Sequence, residues 1–136
     1  MGAYFAFNPS YQLSLEAKIH YSISDYDKAY DLSSEAYEIE PYNRMARSVM
    51  VQSQYALRYV RYNEESKAYL ETIRSYANQE KISKQEQMRI KMMCEIMIDK
   101  HNKMQPTILI DKDLVKEARE NYKKFKKLHA NLTQTL

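Results

Sequence analysis

One glycine, one cysteine, three prolines and no tryptophan among 136 residues leave this chain with few of the signals that turn or staple a backbone. Without turn residues the segments between Pro9, Pro41 and Pro106 must be long, and long segments that are 44% apolar read as helices rather than many short strands. The scarcity also removes whole classes of chemistry. Because Gly2 is the only glycine, no G-x-x-x-x-G-K, G-x-G-x-x-G or G-x-S-x-G can occur, so the nucleotide-cradling loops and the nucleophile elbow are excluded. Cys94 is alone, which rules out an internal disulfide. No run of apolar residues is long enough to span a bilayer.

What is present is consistent with a single all-α domain over residues 11–136, preceded by a short aromatic segment, 1–10. Gly2, Ala3, Tyr4, Phe5, Ala6 and Phe7 have neither the basic region nor the length of a signal peptide. Two readings stay open for them: a cap packed on the first hairpin, or the remaining end of a membrane anchor, since aromatics collect at membrane interfaces. Ala6 stands where a myristoylation signal has serine or threonine, so that modification is excluded.

The apolar spacing predicts helices over about 24–39, 43–59, 64–77, 83–103 and 111–131, the second to sixth of six. Ala29, Leu32, Ala36 and Ile39 share one face of the second, with Asp25 or Asp27 as its cap and Pro41 as its stop. In the third, Ala46, Met50, Ser53, Leu57 and Val60 face inward, and Asn63 is a candidate cap for the fourth, whose apolar side is Tyr69, Leu70, Ile73, Tyr76 and Ala77. Ser83 and Glu86 form an S-x-x-E capping box ahead of a helix with Ile90, Met93, Met97 and Met104 inward. After Pro106 and an apolar crossing at Ile108–Ile110, Asp111 or Asp113 opens a last helix whose inward residues are Leu114, Ala118, Tyr122, Phe125 and Leu132.

Residues 24–43, SDYDKAYDLSSEAYEIEPYN, carry the most specific pattern in the chain. Tyr26, Ala29, Ala36 and Pro41 fall where the tetratricopeptide repeat has its turn aromatic, two small packing residues and terminal proline, and the segment resembles the second helix of that repeat. The resemblance implies a first helix over about residues 11–23, in which Leu13 and Ala17 stand in for the family's tryptophan and glycine, while Glu16, His20 and Ser33 depart from the pattern. The match covers about residues 11–43; from Ala29 to the similarly placed Ala68 is 39 residues, against 34 in the family. The resemblance implies a right-handed stack of about six helices in three antiparallel hairpins.

It also implies a groove for a peptide or protein partner, lined by Tyr11, Ser14, Lys18, Tyr21 and Ser22 from the first hairpin and Met45, Ser48, Gln52 and Tyr55 from the second. Tyrosine supplies contact area at low entropic cost and the small polar groups satisfy peptide backbone. Only Lys18 stands where one subset of the family grips a terminal carboxylate, so chaperone-tail binding is disfavoured.

No catalytic, cofactor or metal site is expected. His20, His101 and His129 lie on separate predicted helices, and Cys94 and His101 are two turns apart, about 10 Å of rise. The charge is divided: residues 1–43 hold two basic and seven acidic side chains, net −5, and residues 44–136 hold 19 and 11, net +8. That asymmetry and the Tyr30–Tyr37 stripe suit a homo-oligomer or self-assembling unit. Lys123, Lys124, Lys126 and Lys127 offer a nucleic-acid or anionic-membrane surface as the alternative function. Nucleic acid is disfavoured by the modest net charge of +3 and by tyrosines that sit mostly away from these lysines. A membrane location follows only if an anchor precedes Gly2.

Overall fold

The structure, a computed structural model, describes residues 8–106 and 110–135. Among the described residues it is all-helical, with α1 at Pro9–Ser22, α2 at Tyr26–Ile39, α3 at Arg44–Ala77, α4 at Lys84–Lys103 and α5 at Lys112–Thr135. The chain divides into two compact units, Met1–Leu57 and Arg58–Leu136, and α3 contributes to both. The N-terminal aromatic residues 1–7 and the first part of the Ile108–Ile110 crossing lie outside the described residues; Ile110 itself is buried.

In the first unit α1 and α2 form an antiparallel hairpin, with Ser10 near the start of α1 reaching Ala36 near the end of α2 and Tyr21 meeting Tyr26 at the turn. Asn8 starts α1 by accepting the amide hydrogen of Tyr11, with Pro9 at the first helical position, where its missing N–H costs nothing. The turn passes through Ser24, whose φ of 66° is in the left-handed region without a glycine to occupy it. Asp25 makes no side-chain cap to α2; its carboxylate lies 3.2 Å from His20 Nδ1 instead.

Small side chains let the two helices approach closely. Ser10, Ser14 and Ala17 of α1 and Ala29, Ser33 and Ala36 of α2 are fully buried. The inward stripe of α2 is therefore Tyr26, Ala29, Ser33 and Ala36, and Ile39, expected inside, is 52% exposed. Ser33 tolerates this position because its hydroxyl donates to the Tyr30 carbonyl at 3.1 Å, leaving a near-apolar surface toward α1.

Asn43 joins α3 to that hairpin. Its Oδ1 caps the helix by accepting the Ala46 amide hydrogen at 3.1 Å, and its Nδ2 donates to Ser10 Oγ at 3.0 Å and to Ser14 Oγ at 3.3 Å. Ser10 passes a 2.7 Å bond on to the Ala36 carbonyl and Ser14 a 2.9 Å bond to the Tyr11 carbonyl. Asn43 is completely buried, so every polar atom of its amide is satisfied without water. Beyond this knot Val49 packs with Ala17 and Ala29, and Tyr21, Leu32 and Met45 close around them.

The expected break between the third and fourth helices is absent: α3 runs unbroken through residues 60–63. There are accordingly five helices among the described residues rather than six, and the expected second hairpin, 43–59 against 64–77, does not form. No glycine or proline interrupts the backbone at 60–63, and Asn63 is not a cap. In the second unit its Nδ2 donates to the Leu114 carbonyl at 3.3 Å and to Glu117 at 3.4 Å, and its Oδ1 accepts from Asn121 at 3.2 Å, so the amide is bonded where it lies mid-helix.

The remainder of α3 forms a hairpin with α4, marked by Tyr62 bonding the Met97 carbonyl, Glu65 pairing with Lys100 at 2.6 Å, and Tyr76 meeting Arg89 nearer the turn. α4 opens on the capping box read from sequence, Ser83 accepting the Glu86 amide hydrogen and donating back to its carboxylate. Asp111, just ahead of α5, accepts from the Asp113 amide, and α5 returns alongside α4 as His129 meets Glu95. Tyr59, Tyr62, Ile73, Ile90, Cys94, Met97, Ala118 and Phe125 are buried in this unit, while Ala77 is exposed and Met93, Met104, Leu114 and Leu132 are half-buried.

Replacing Asn43 by alanine removes one helix cap and the donor to two buried hydroxyls, which keep only their bonds to the Ala36 and Tyr11 carbonyls. We expect Asn43→Ala to lower stability by about 3 kcal/mol in urea denaturation followed by circular dichroism. A loss below about 1 kcal/mol is what a merely cap-strength role predicts.

Candidate interaction surfaces

The residues expected to line one groove separate on inspection. Ser14 is fully buried beneath Asn43, a correction to its groove-facing assignment, because only a small hydroxyl fits at that crossing. Tyr21 and Met45 pack against the Ala17, Ala29 and Val49 cluster, with Tyr21 edge-on to Tyr26 at 5.3 Å. Tyr11 and Tyr55 are half-buried. Lys18, Ser22 and Ser48 are exposed, and Gln52 donates to Ser48 Oγ at 2.9 Å.

Lys18 and Ser22 share the outer side of α1 with residues that the sequence reading passed over. Leu15, Ile19 and Ile23 recur every four residues and are 47%, 62% and 67% exposed. α1 is thus apolar or small on its inner side and apolar again on its outer side. The signal was present in the sequence as a second periodic set; it went unused because one inward face already satisfied the helix pattern.

A second surface lies wholly in the second unit, a groove of about 480 Å³ between α3 and α5. Val60, Leu70 and Leu114 give it apolar walls and the Asn63–Asn121 pair lies among them. Charges of alternating sign edge it, Glu64, Lys67, Glu71 and Arg74 on α3 and Glu117 and Lys124 on α5. It was not legible from sequence, since it needs α3 to continue past Asn63 and α5 to lie alongside.

The second unit also holds titratable groups whose ionisation burial shifts. Burial pushes the Cys94 thiol up to about 11, with the Glu95 carboxylate adding to the effect, so its nucleophilic thiolate is suppressed. The Tyr62 phenol, its hydroxyl bonded to the Met97 carbonyl at 3.1 Å, is raised to about 12 by burial. His101 stacks on Tyr122 at 4.2 Å and tilts against Tyr62 at 5.6 Å; burial first, then the Arg119 charge, lowers its pKa. Lys126 sits 5.2 Å from the centre of the Tyr122 ring, and the other C-terminal lysines, Lys123, Lys124 and Lys127, are exposed. Among the described residues no group of three histidine, cysteine or acidic side chains is placed to hold a metal, and no helix is long and apolar enough to cross a membrane.

No protein-family model, curated protein or solved structure matches this chain.

The lowered His101 pKa has a defined sign. Below about pH 6.5 the unfolded chain binds a proton that the folded chain resists, so this residue's contribution is intact above that pH and is lost as pH falls toward the folded pKa. Urea midpoints between about pH 7.5 and 5.5 are expected to fall, and His101→Phe to flatten that slope. An unchanged slope in the variant would assign the effect to other groups.

Cys94 supplies a separate check. In the native protein its reaction with an aromatic disulfide reagent is expected to be at least about a hundredfold slower than in denaturant, following thiolate fraction and access. Comparable rates would place the thiol at the surface.

Proposed function

We propose that this chain is a non-enzymatic protein–protein interaction module, tetratricopeptide-like in its first hairpin, that binds a segment of another protein. The observation that carries this reading is the outward row of Leu15 and Ile19, continued by Ile23 at the C-cap, on a helix whose other side is already packed. A helix apolar on two sides ordinarily has neighbours on both, and a row spaced by four residues matches the ridge that packs between the ridges of a second helix. The partner of this surface is an amphipathic helix from another protein, laid along α1 beside Tyr11, Lys18 and Ser22, with its apolar face inward and an acidic group available to Lys18. The repeat resemblance of residues 11–43 supports the same function, since helical hairpins of this kind present their first helices to partners.

The C-terminal lysines define the competing surface, one that attracts nucleic acid or anionic lipid by charge alone.

Affinity capture with the full chain as bait, compared across three forms, separates these readings. Ile19→Lys combined with Lys18→Glu is expected to abolish capture of the partner, while Lys124→Glu with Lys127→Glu leaves it unchanged. Capture that survives the first pair and fails with the second overturns the α1 assignment in favour of the lysine helix. Helicity by circular dichroism confirms that both variants fold.

A further inference from the structure

The groove between α3 and α5 is edged by charges in an order that specifies a partner. Along α3 they run Glu64, Lys67, Glu71, Arg74: negative, positive, negative, positive. Read backwards, the same row has every sign reversed. A row with that property is complementary to an antiparallel copy of itself. The two outer charges, 64 and 74, and the two inner ones, 67 and 71, share one midpoint, the level of residue 69, so a single two-fold axis at that level satisfies both sets at once.

A second observation points outward. Spacings of three and four residues permit neighbouring charges on one helix to pair with each other. Yet among the described residues none of these four makes an ion pair, whereas Lys100, Lys103, His20 and His129 all do. The row runs from Glu64 to Arg74 of an unbroken helix, a rise of about 15 Å, beside a groove with apolar walls from Val60, Leu70 and Leu114.

We infer that a second copy of this chain docks in this groove, α3 antiparallel to α3 of the second copy, to give a symmetric dimer. Around the axis Glu64 faces Arg74 of the other copy and Lys67 faces its Glu71, each pair occurring twice, while Leu70, one residue from the axis level, packs toward its own counterpart. The opposite orientation is disfavoured, because parallel alignment in register sets like charge beside like charge along the whole row. The interface is isologous and closes on itself, so it yields a dimer and not a filament. It is distinct from the α1 surface, and neither assignment depends on the other.

Sedimentation equilibrium of the full chain from about 1 to about 100 μM tests it. Lys67→Glu with Arg74→Glu makes the row wholly acidic; Glu64→Lys with Glu71→Lys makes it wholly basic. The wild-type chain is expected to dimerise and each variant to associate at least about a hundredfold more weakly. An equimolar mixture of the two variants restores a dimer in the wild-type range, because every acidic position then meets a basic one. A wild-type chain that stays monomeric throughout overturns the inference, as do variants that self-associate like wild type. If helicity shows that both variants fold, a mixture that remains monomeric overturns it as well.

Discussion

Asn43 is the constraint on which the first unit depends. A primary amide is costly to bury, and this one is completely inside, so its two donors and its acceptor must find partners whose positions are themselves fixed. They do: the acceptor is used by the first turn of α3, and the donors by hydroxyls on successive turns of α1. The first of those hydroxyls then bonds a carbonyl of α2, so one side chain sets the register of three helices. Apolar packing of alanine and serine stripes is permissive about sliding by a turn; the amide is not. Ser10 and Ser14 are thus position markers, and their small size also permits the close approach.

The second unit applies the same device in a different geometry. Asn63 ties the middle of α3 to Leu114, Glu117 and Asn121 of α5, and Tyr62, its neighbour on α3, ties the adjoining face to the Met97 carbonyl of α4. Two consecutive residues therefore bond to two different helices. This is possible because adjacent residues on a helix point about 100° apart. His101 and Tyr122 fill the space beside Tyr62 as a stacked pair, and a neutral imidazole suits that enclosed place better than a charged one.

How much of this was legible depended on whether a residue's role is decided locally. The all-helical class followed from one glycine and three prolines, and the Ser83–Glu86 start from a motif whose two partners lie three residues apart. Ala29 and Ala36 were placed correctly by periodicity. Asn63 was misread because asparagine ends helices when its amide competes with its own backbone, and it stays within one when a partner elsewhere occupies that amide. Here the partners are more than fifty residues downstream, beyond any local pattern. Ile39 was misassigned by similar reasoning: the spacing allowed a stripe of 29, 32, 36 and 39 or one of 26, 29, 33 and 36, and only the burial of Ser33 with its hydroxyl turned to the Tyr30 carbonyl decides between them.

That pattern of success and failure explains why surfaces were harder to read than the core. A groove is defined by which helices lie side by side and which faces they turn out, so among the nine residues assigned by family resemblance Ser14 is buried and Tyr21 and Met45 pack against the core of the first unit. The charges edging the α3–α5 groove illustrate the converse. Any glutamate–lysine alternation on a helix is ambiguous in sequence, because the same spacing serves pairing within the helix and pairing across an interface. The alternation becomes informative only when the side chains are seen unpaired beside an apolar-walled groove and their signs invert about one midpoint. Two glutamate-to-lysine pairs in the order that favours an isolated helix give the same run of signs, so it is the lack of pairing within the helix that turns the row toward a partner. Inversion of sign about a point makes the row complementary to an antiparallel copy of itself, and it is the reason a second copy, rather than a wholly acidic or wholly basic partner, is proposed for this groove.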